Sequence, residues 1–193
     1  MESLYELWGK RNPEWEKKYQ SSIIEVLSDY GKGTSQYLDV RGKTFGAGYE
    51  VFIIAFFIGL YFDKRRPLTI DKSKKKTLGQ AIMYWGNIEN RIGRTSYSII
   101  REYIFAALVA RTDFDFIALD KGNKTSRNAV DALMETMEQY ANYGFYYMEE
   151  KLQDDPNFFF KDTAFLRIFL SFLEPQAPEP ELDSDDDEPD PLE

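Results

Sequence analysis

Apolar residues recur along this chain at intervals of three and four, the spacing of one face of an α-helix, and strictly alternating stretches are short. The first periodic run holds Trp15, Tyr19, Ile23, Val26, Leu27 and Tyr30. Asn12 suits an N-cap, Pro13 the first helical position, and Glu14 and Glu16 the positive end of a helix dipole. The pattern therefore predicts a helix from residue 13, closed by Gly31 and Gly33. Residues 32–44 are polar and glycine-bearing and read as a connection with room for a short strand over 37–40.

The longest apolar run is VFIIAFFIGLYF, 12 residues from Val51 to Phe62. It is shorter than the ~20 residues that cross a bilayer. It is also apolar on every side rather than amphipathic, so it predicts a buried core helix over about 45–63. Pro67 stops that helix. A further helix is expected from Thr77, its cap, to about Arg91, with Leu78, Ile82, Trp85 and Ile88 as its apolar stripe and Gly93 behind it. Another opens at Ser96 and carries Ile99, Ile100, Tyr103, Ile104, Ala107, Leu108 and Ala110. Residues 113–124 permit a short strand, one helical turn or an ordered loop, with Gly122 and Asn123 marking a turn.

A long helix is predicted from Asn128 to about Leu152, bent or interrupted at Gly144. Asp162 suits the cap of a last, nearly all-apolar helix, TAFLRIFLSFLE, of the kind that belongs inside a bundle or in a subunit interface. From Pro175 the composition changes: five prolines, no aromatic residue and only acidic charge predict a disordered tail. The expected fold is all-α or nearly so: a compact bundle of five to seven helices over residues 1–174, with an acidic tail over 175–193.

Charge is sorted along this pattern. Residues 32–127 carry 17 basic and 9 acidic groups, while residues 174–193 carry 10 acidic groups and no basic one. The net charge of −9 thus hides a basic middle, which leaves a polyanion partner open. Histidine and cysteine are both absent. That excludes Ser-His-Asp and Cys-His catalysis and the standard zinc sites, and it suits a reducing cytoplasm. The first residues, MESLYELWGKRNPEWEKK, lack the apolar core of a secretory signal.

Within residues 64–76, seven basic residues stand against one acid, Asp71. Lys64, Arg65, Arg66, Lys72, Lys74, Lys75 and Lys76 are the candidate phosphate contacts, and Arg91, Arg94 and Arg101 join them if their helices pack beside the loop. A lysine-rich loop also serves simply as a solvated connection. The tyrosines and phenylalanines of 140–147 and 158–160 lie in a net-acidic region and read as core or protein interface. Gly31 to Ser35 and Gly122 to Ser126 lack the phosphate-loop order of Lys followed by Ser or Thr. Asp113, Asp115 and Asp120 form the best carboxylate group for Mg²⁺ or Mn²⁺.

From these features we expect a non-catalytic accessory subunit of an intracellular complex, without cofactor, that contacts DNA or RNA non-specifically through the basic loop. The tail would tune that contact or recruit a basic partner. One alternative is a protein adaptor or homo-oligomer without nucleic-acid affinity. The other is a Mg²⁺- or Mn²⁺-dependent phosphodiesterase. No membrane association is expected.

Overall fold

The computed structural model describes residues 2–28, 44–88 and 95–171. They form a compact, mainly helical fold. In chain order its elements are α1 (Leu4–Gly9), β1 (Glu14–Glu16), a π-helical turn (Gln20–Ile24) running into α2 (Glu25–Leu27), α3 (Gly48–Tyr61), β2 (Lys75–Thr77), α4 (Ile100–Arg111), α5 (Phe116–Asp120), α6 (Ser126–Asp154) and α7 (Ala164–Leu170). Short 3₁₀ turns occupy Lys72–Lys74, Ile82–Tyr84 and Phe158–Phe160. Among the described residues, no helix is long and apolar enough to cross a membrane. The expected strand over 37–40, Gly31, Gly33, Gly93 and the acidic tail lie outside the described residues.

The fold is organised around α3 and α6, which pack along each other. The 12-residue apolar run becomes α3, buried on most of its surface with Val51, Phe52, Ala55, Phe56 and Ile58 at or near zero exposure. Its N-terminus is closed by Glu50, which accepts from the Gly46 and Ala47 N–H groups at 2.6 and 3.1 Å and from the Tyr97 hydroxyl at 2.6 Å. The α6 helix starts in a capping box: Thr125 and Asn128 exchange side-chain-to-backbone bonds at 3.2 and 3.0 Å. It is not interrupted at Gly144, as the sequence suggests. Gly144 and Gly59 are instead where the two helices touch. A Cβ at Gly144 would lie 1.8 Å from the Ala55 carbonyl oxygen, and one at Gly59 would lie 2.1 Å from that of Tyr140.

The expected helix from residue 13 is corrected by the structure. Residues Glu14–Glu16 are extended and pair antiparallel with Lys75–Thr77 in the register Trp15 to Lys76. The Leu78 N–H donates to the Pro13 carbonyl at 2.9 Å, so the pairing overrides the local cap signals. Helical geometry begins only at Gln20. The same pairing overturns the helix expected from Thr77, because Thr77 ends a strand and only the Ile82–Tyr84 turn is helical among residues 78–88. The apolar stripe is nonetheless right: Leu78, Ile82, Trp85 and Ile88 are all buried.

Three smaller expectations also change. Ser96 precedes the α4 helix by four residues, because residues 95–97 are irregular and the Tyr97 N–H bonds to the Gly86 carbonyl at 3.0 Å. Residues 113–124 choose the helical turn, α5, which the Asp115 side chain caps through the Ala118 N–H at 2.9 Å. The last helix starts after Thr163 and not at Asp162, whose side chain caps nothing. An N-terminal helix, α1, was not expected. Its Ser3–Glu6 capping box closes it at 3.2 and 2.7 Å.

Candidate functional site

The basic stretch leaves α3 through a left-handed turn. Asp63 has φ 50°, the Asp63 N–H donates to the Leu60 carbonyl at 3.1 Å, and the Lys64 N–H donates to that of Gly59 at 3.0 Å. This Schellman arrangement ends the helix six residues before Pro67, so proline is not what stops it. The Asp63 carboxylate secures the turn by accepting from the Tyr140 hydroxyl at 3.0 Å and from Arg111 at 3.2 Å.

From there the chain crosses the face of α6. The Arg66 N–H donates to the Gln139 carbonyl at 3.0 Å. Asn142, on the next turn of that face, donates from Nδ2 to the Arg66 and Pro67 carbonyls at 3.2 and 3.0 Å and to Glu16 Oε1 at 3.2 Å. Glu16 is 8% exposed and also accepts from the Thr69 N–H at 2.8 Å and from Lys18 at 2.8 Å. Burial opposes its charge, but those donors outweigh burial and hold its carboxyl below the usual glutamate value. Further on, Asp71 accepts from the Ser73 N–H at 2.9 Å, Lys17 Nζ donates to the Ser73 carbonyl at 2.6 Å, and β2 then pairs with β1. The loop is therefore pinned at both ends and in the middle.

Three consecutive cations of this loop lie over three tyrosines of α6. Lys64 Nζ is 5.7 Å from the ring centre of Tyr143, the Arg65 guanidinium 5.0 Å from that of Tyr140, and the Arg66 guanidinium 4.5 Å from that of Tyr146. Tyr140 is buried, whereas Tyr143 and Tyr146 are partly exposed with ring centres 6.3 Å apart. The sequence assigned these tyrosines to core or interface because their own neighbourhood is acidic. The tertiary fold supplies their cations from a segment more than seventy residues away.

The predicted basic residues divide by their partners. Arg65 is bound to Asp113 at 3.0 Å and to the Arg111 carbonyl, and Lys75 to Glu14 at 2.6 Å with a mostly covered side chain. Lys74 lies 3.8 Å from Asp71 yet remains 72% exposed, and Lys76 donates to Gln20 at 3.2 Å. Lys64, Arg66 and Lys72 form no ion pair among the described residues. Arg91 and Arg94 lie outside the described residues. Arg101 does not join the loop; it bonds the Met83 and Ser98 carbonyls and lines a separate hollow with Trp8 and Lys10. Lys17 and Lys18 do join it, one bonded to the Ser73 carbonyl and the other to Glu16. Both were missed because in the sequence they sit among acids and carry no local excess of charge.

The carboxylate group proposed for a metal is not assembled. Asp113 turns to Arg65 and Asp115 caps α5. Among the described residues, no three Asp, Glu, His or Cys side chains converge as metal ligands. No protein-family model matches this chain, no curated protein matches it significantly, and neither does any solved structure.

Proposed function

We propose that this chain is a non-catalytic accessory subunit of an intracellular complex that contacts nucleic acid non-specifically through the 64–76 loop. The observation that carries the reading is the seating of Lys64 and Arg66 on Tyr143 and Tyr146, with no ion pair to either among the described residues. Cations held on a rigid surface, with no ion pair among the described residues, are available to phosphates, and each contact releases counterions. Lys72 and Lys74 extend the strip, while Lys75, Lys76 and Arg65 serve mainly to fasten it. Exposed pairs such as Lys74 with Asp71 are weak enough for a phosphate to displace the acid. The tail, with ten carboxylates and no base over 174–193, competes for the strip or recruits a basic partner.

The test is binding of labelled oligonucleotides by the full chain and by a version ending at Glu174. Four phosphate contacts predict that affinity falls on the order of 50–150-fold between ~50 and ~200 mM salt. Arg66→Glu with Lys72→Glu is expected to abolish most of that binding, and removal of the tail to strengthen it. Unchanged affinity in the double variant overturns the assignment.

A second reading, a protein adaptor or homo-oligomer, is favoured by one observation. Leu166 and Leu170 on α7 are 56% and 43% exposed, and Ile99, just before α4, and Tyr103 within it are 55% and 59% exposed. Mass that rises with concentration in light scattering, together with no nucleic-acid binding, favours this reading over the first.

A further inference from the structure

We infer that the ligand of the cation–tyrosine face is single-stranded nucleic acid, DNA or RNA, whose bases stack on Tyr143, Tyr146 and the Arg66 guanidinium while its phosphates meet Lys64, Lys72 and Lys74. The inference rests on the nucleic-acid reading above and specifies which form of the polymer the site takes.

Three features point to unpaired bases rather than to a duplex. First, the cations are interleaved with aromatic planes. A surface that only neutralises a duplex backbone needs charge and has no use for rings, because duplex bases are already stacked on one another. Single strands expose base faces, and proteins bind them with aromatic and guanidinium planes beside basic side chains. Second, Tyr143 and Tyr146 are partly exposed, and their rings, 6.3 Å apart and inclined at 51°, are not stacked on each other. Neither ring is covered by the other, and a base reaches each beside or upon the cation that lies over it. The Arg66 guanidinium, 4.5 Å from the Tyr146 ring centre, continues that platform outward with a second flat surface.

Third, the arrangement is built in advance. Arg66 is held by its backbone to Gln139 and Asn142, Tyr146 donates its hydroxyl to Glu150, and Tyr143 packs against Phe62 at 6.3 Å. Little conformational entropy is then lost on binding. The same loop carries an aliphatic side chain with nothing to pack on: Ile70 is 96% exposed between Thr69 and the Asp71–Lys74 turn. An isoleucine so placed is available to an unpaired base and is of no use to a phosphate. Glu150, which accepts from the Tyr146 hydroxyl, borders the platform and with Glu149 repels phosphate on that side. The strand path therefore runs from Lys64 and Arg66 toward Lys72 and Lys74 rather than toward the C-terminal end of α6.

The experiment measures anisotropy of the full chain with a single-stranded DNA, a single-stranded RNA of the same sequence, and the corresponding DNA duplex. Four variants follow: Tyr143→Leu, Tyr146→Leu, Tyr146→Phe and Arg66→Glu with Lys72→Glu. The expected result is at least ten-fold preference for single strands. Either leucine variant is expected to lose roughly five-fold or more toward them, and Tyr146→Phe, which keeps the ring, to retain binding. Near-native circular dichroism and thermal midpoint certify that the leucine variants are folded. Equal binding of duplex and single strands, or leucine variants that bind normally, overturns the single-strand inference while leaving the phosphate contacts in place. No binding of any form, or indifference to the Arg66/Lys72 reversal, overturns the underlying nucleic-acid reading. The two single-stranded arms tell whether the 2′-hydroxyl matters.

Discussion

The Asn142 side-chain amide donates to the buried carboxylate of Glu16 across 3.2 Å, joining α6 to β1 beneath the basic loop. The same nitrogen bonds the Arg66 and Pro67 carbonyls, so one residue fixes the loop, the strand and the helix relative to one another. Asn142→Asp is nearly isosteric but replaces the donor with a second carboxylate beside Glu16. Its expected cost at neutral pH is about 3 kcal/mol or more, because two buried like charges replace a charge held by a donating amide. Urea denaturation checks it. Part of the loss should return at mildly acidic pH, where one carboxyl of the pair takes up a proton.

The contact of Gly144 with the Ala55 carbonyl predicts intolerance of any side chain. A Cβ 1.8 Å from a backbone oxygen forces the two central helices apart, so Gly144→Ala is expected to cost about 3 kcal/mol or more despite alanine's better helix propensity. Gly79→Ala, where a Cβ meets nothing within 4 Å, serves as the control with a change near zero. Denaturant midpoints of both variants decide the matter.

Glu138 gives a pH dependence. Burial, reinforced by the nearby Glu14, pushes its carboxyl up to about 7, although the Glu14 N–H donates to it at 2.8 Å. The folded state therefore holds a proton that the unfolded chain, with an ordinary glutamate value near 4.5, releases. Stability from this group is greatest below pH 4.5 and declines as pH rises through about 7. Glu138→Gln keeps an acceptor for the Glu14 N–H without the charge. It is expected to exceed the parent in stability by about 2–3 kcal/mol at high pH and to match it more nearly in acid, read from denaturation across the range.

Salt dependence separates fastening cations from contacting ones. Lys72 makes no ion pair among the described residues, whereas Lys75 lies 2.6 Å from Glu14. Lys72→Gln is expected to lower the slope of log affinity against log salt by about one, and Lys75→Gln to leave it unchanged. Anisotropy titrations at four salt concentrations measure both slopes.

Much of this molecule was legible before folding was considered. The 12-residue apolar run became the buried core helix, the 29-residue α6 followed its apolar spacing closely, and Leu78, Ile82, Trp85 and Ile88 went inside although the helix expected there did not form. Burial depends on where apolar area must go, and a wrong element can still carry the right inner face. The Ser3–Glu6 capping box was also present in the sequence, as a Ser followed three residues later by Glu, and was simply overlooked.

The sequence alone thus determined the helical class, much of the core and the existence of a cation-rich loop, although of the apolar positions expected around α4 only Ile104 and Leu108 are buried and Ile99, Tyr103 and Ala110 are exposed. Only the tertiary structure decided that residues 14–16 are a strand, because their hydrogen-bond partners at 75–77 are sixty residues away and local cap signals cannot report them. It decided, too, which cations remain unpaired. Ion pairing depends on distances set by packing, and so Arg65 and Lys75 are tied down while Lys64 and Arg66 form no ion pair among the described residues. The joining of the basic loop to the tyrosines of α6 belongs to the same class of fact: two segments with opposite net charge in the sequence become one surface when the chain folds back across its longest helix.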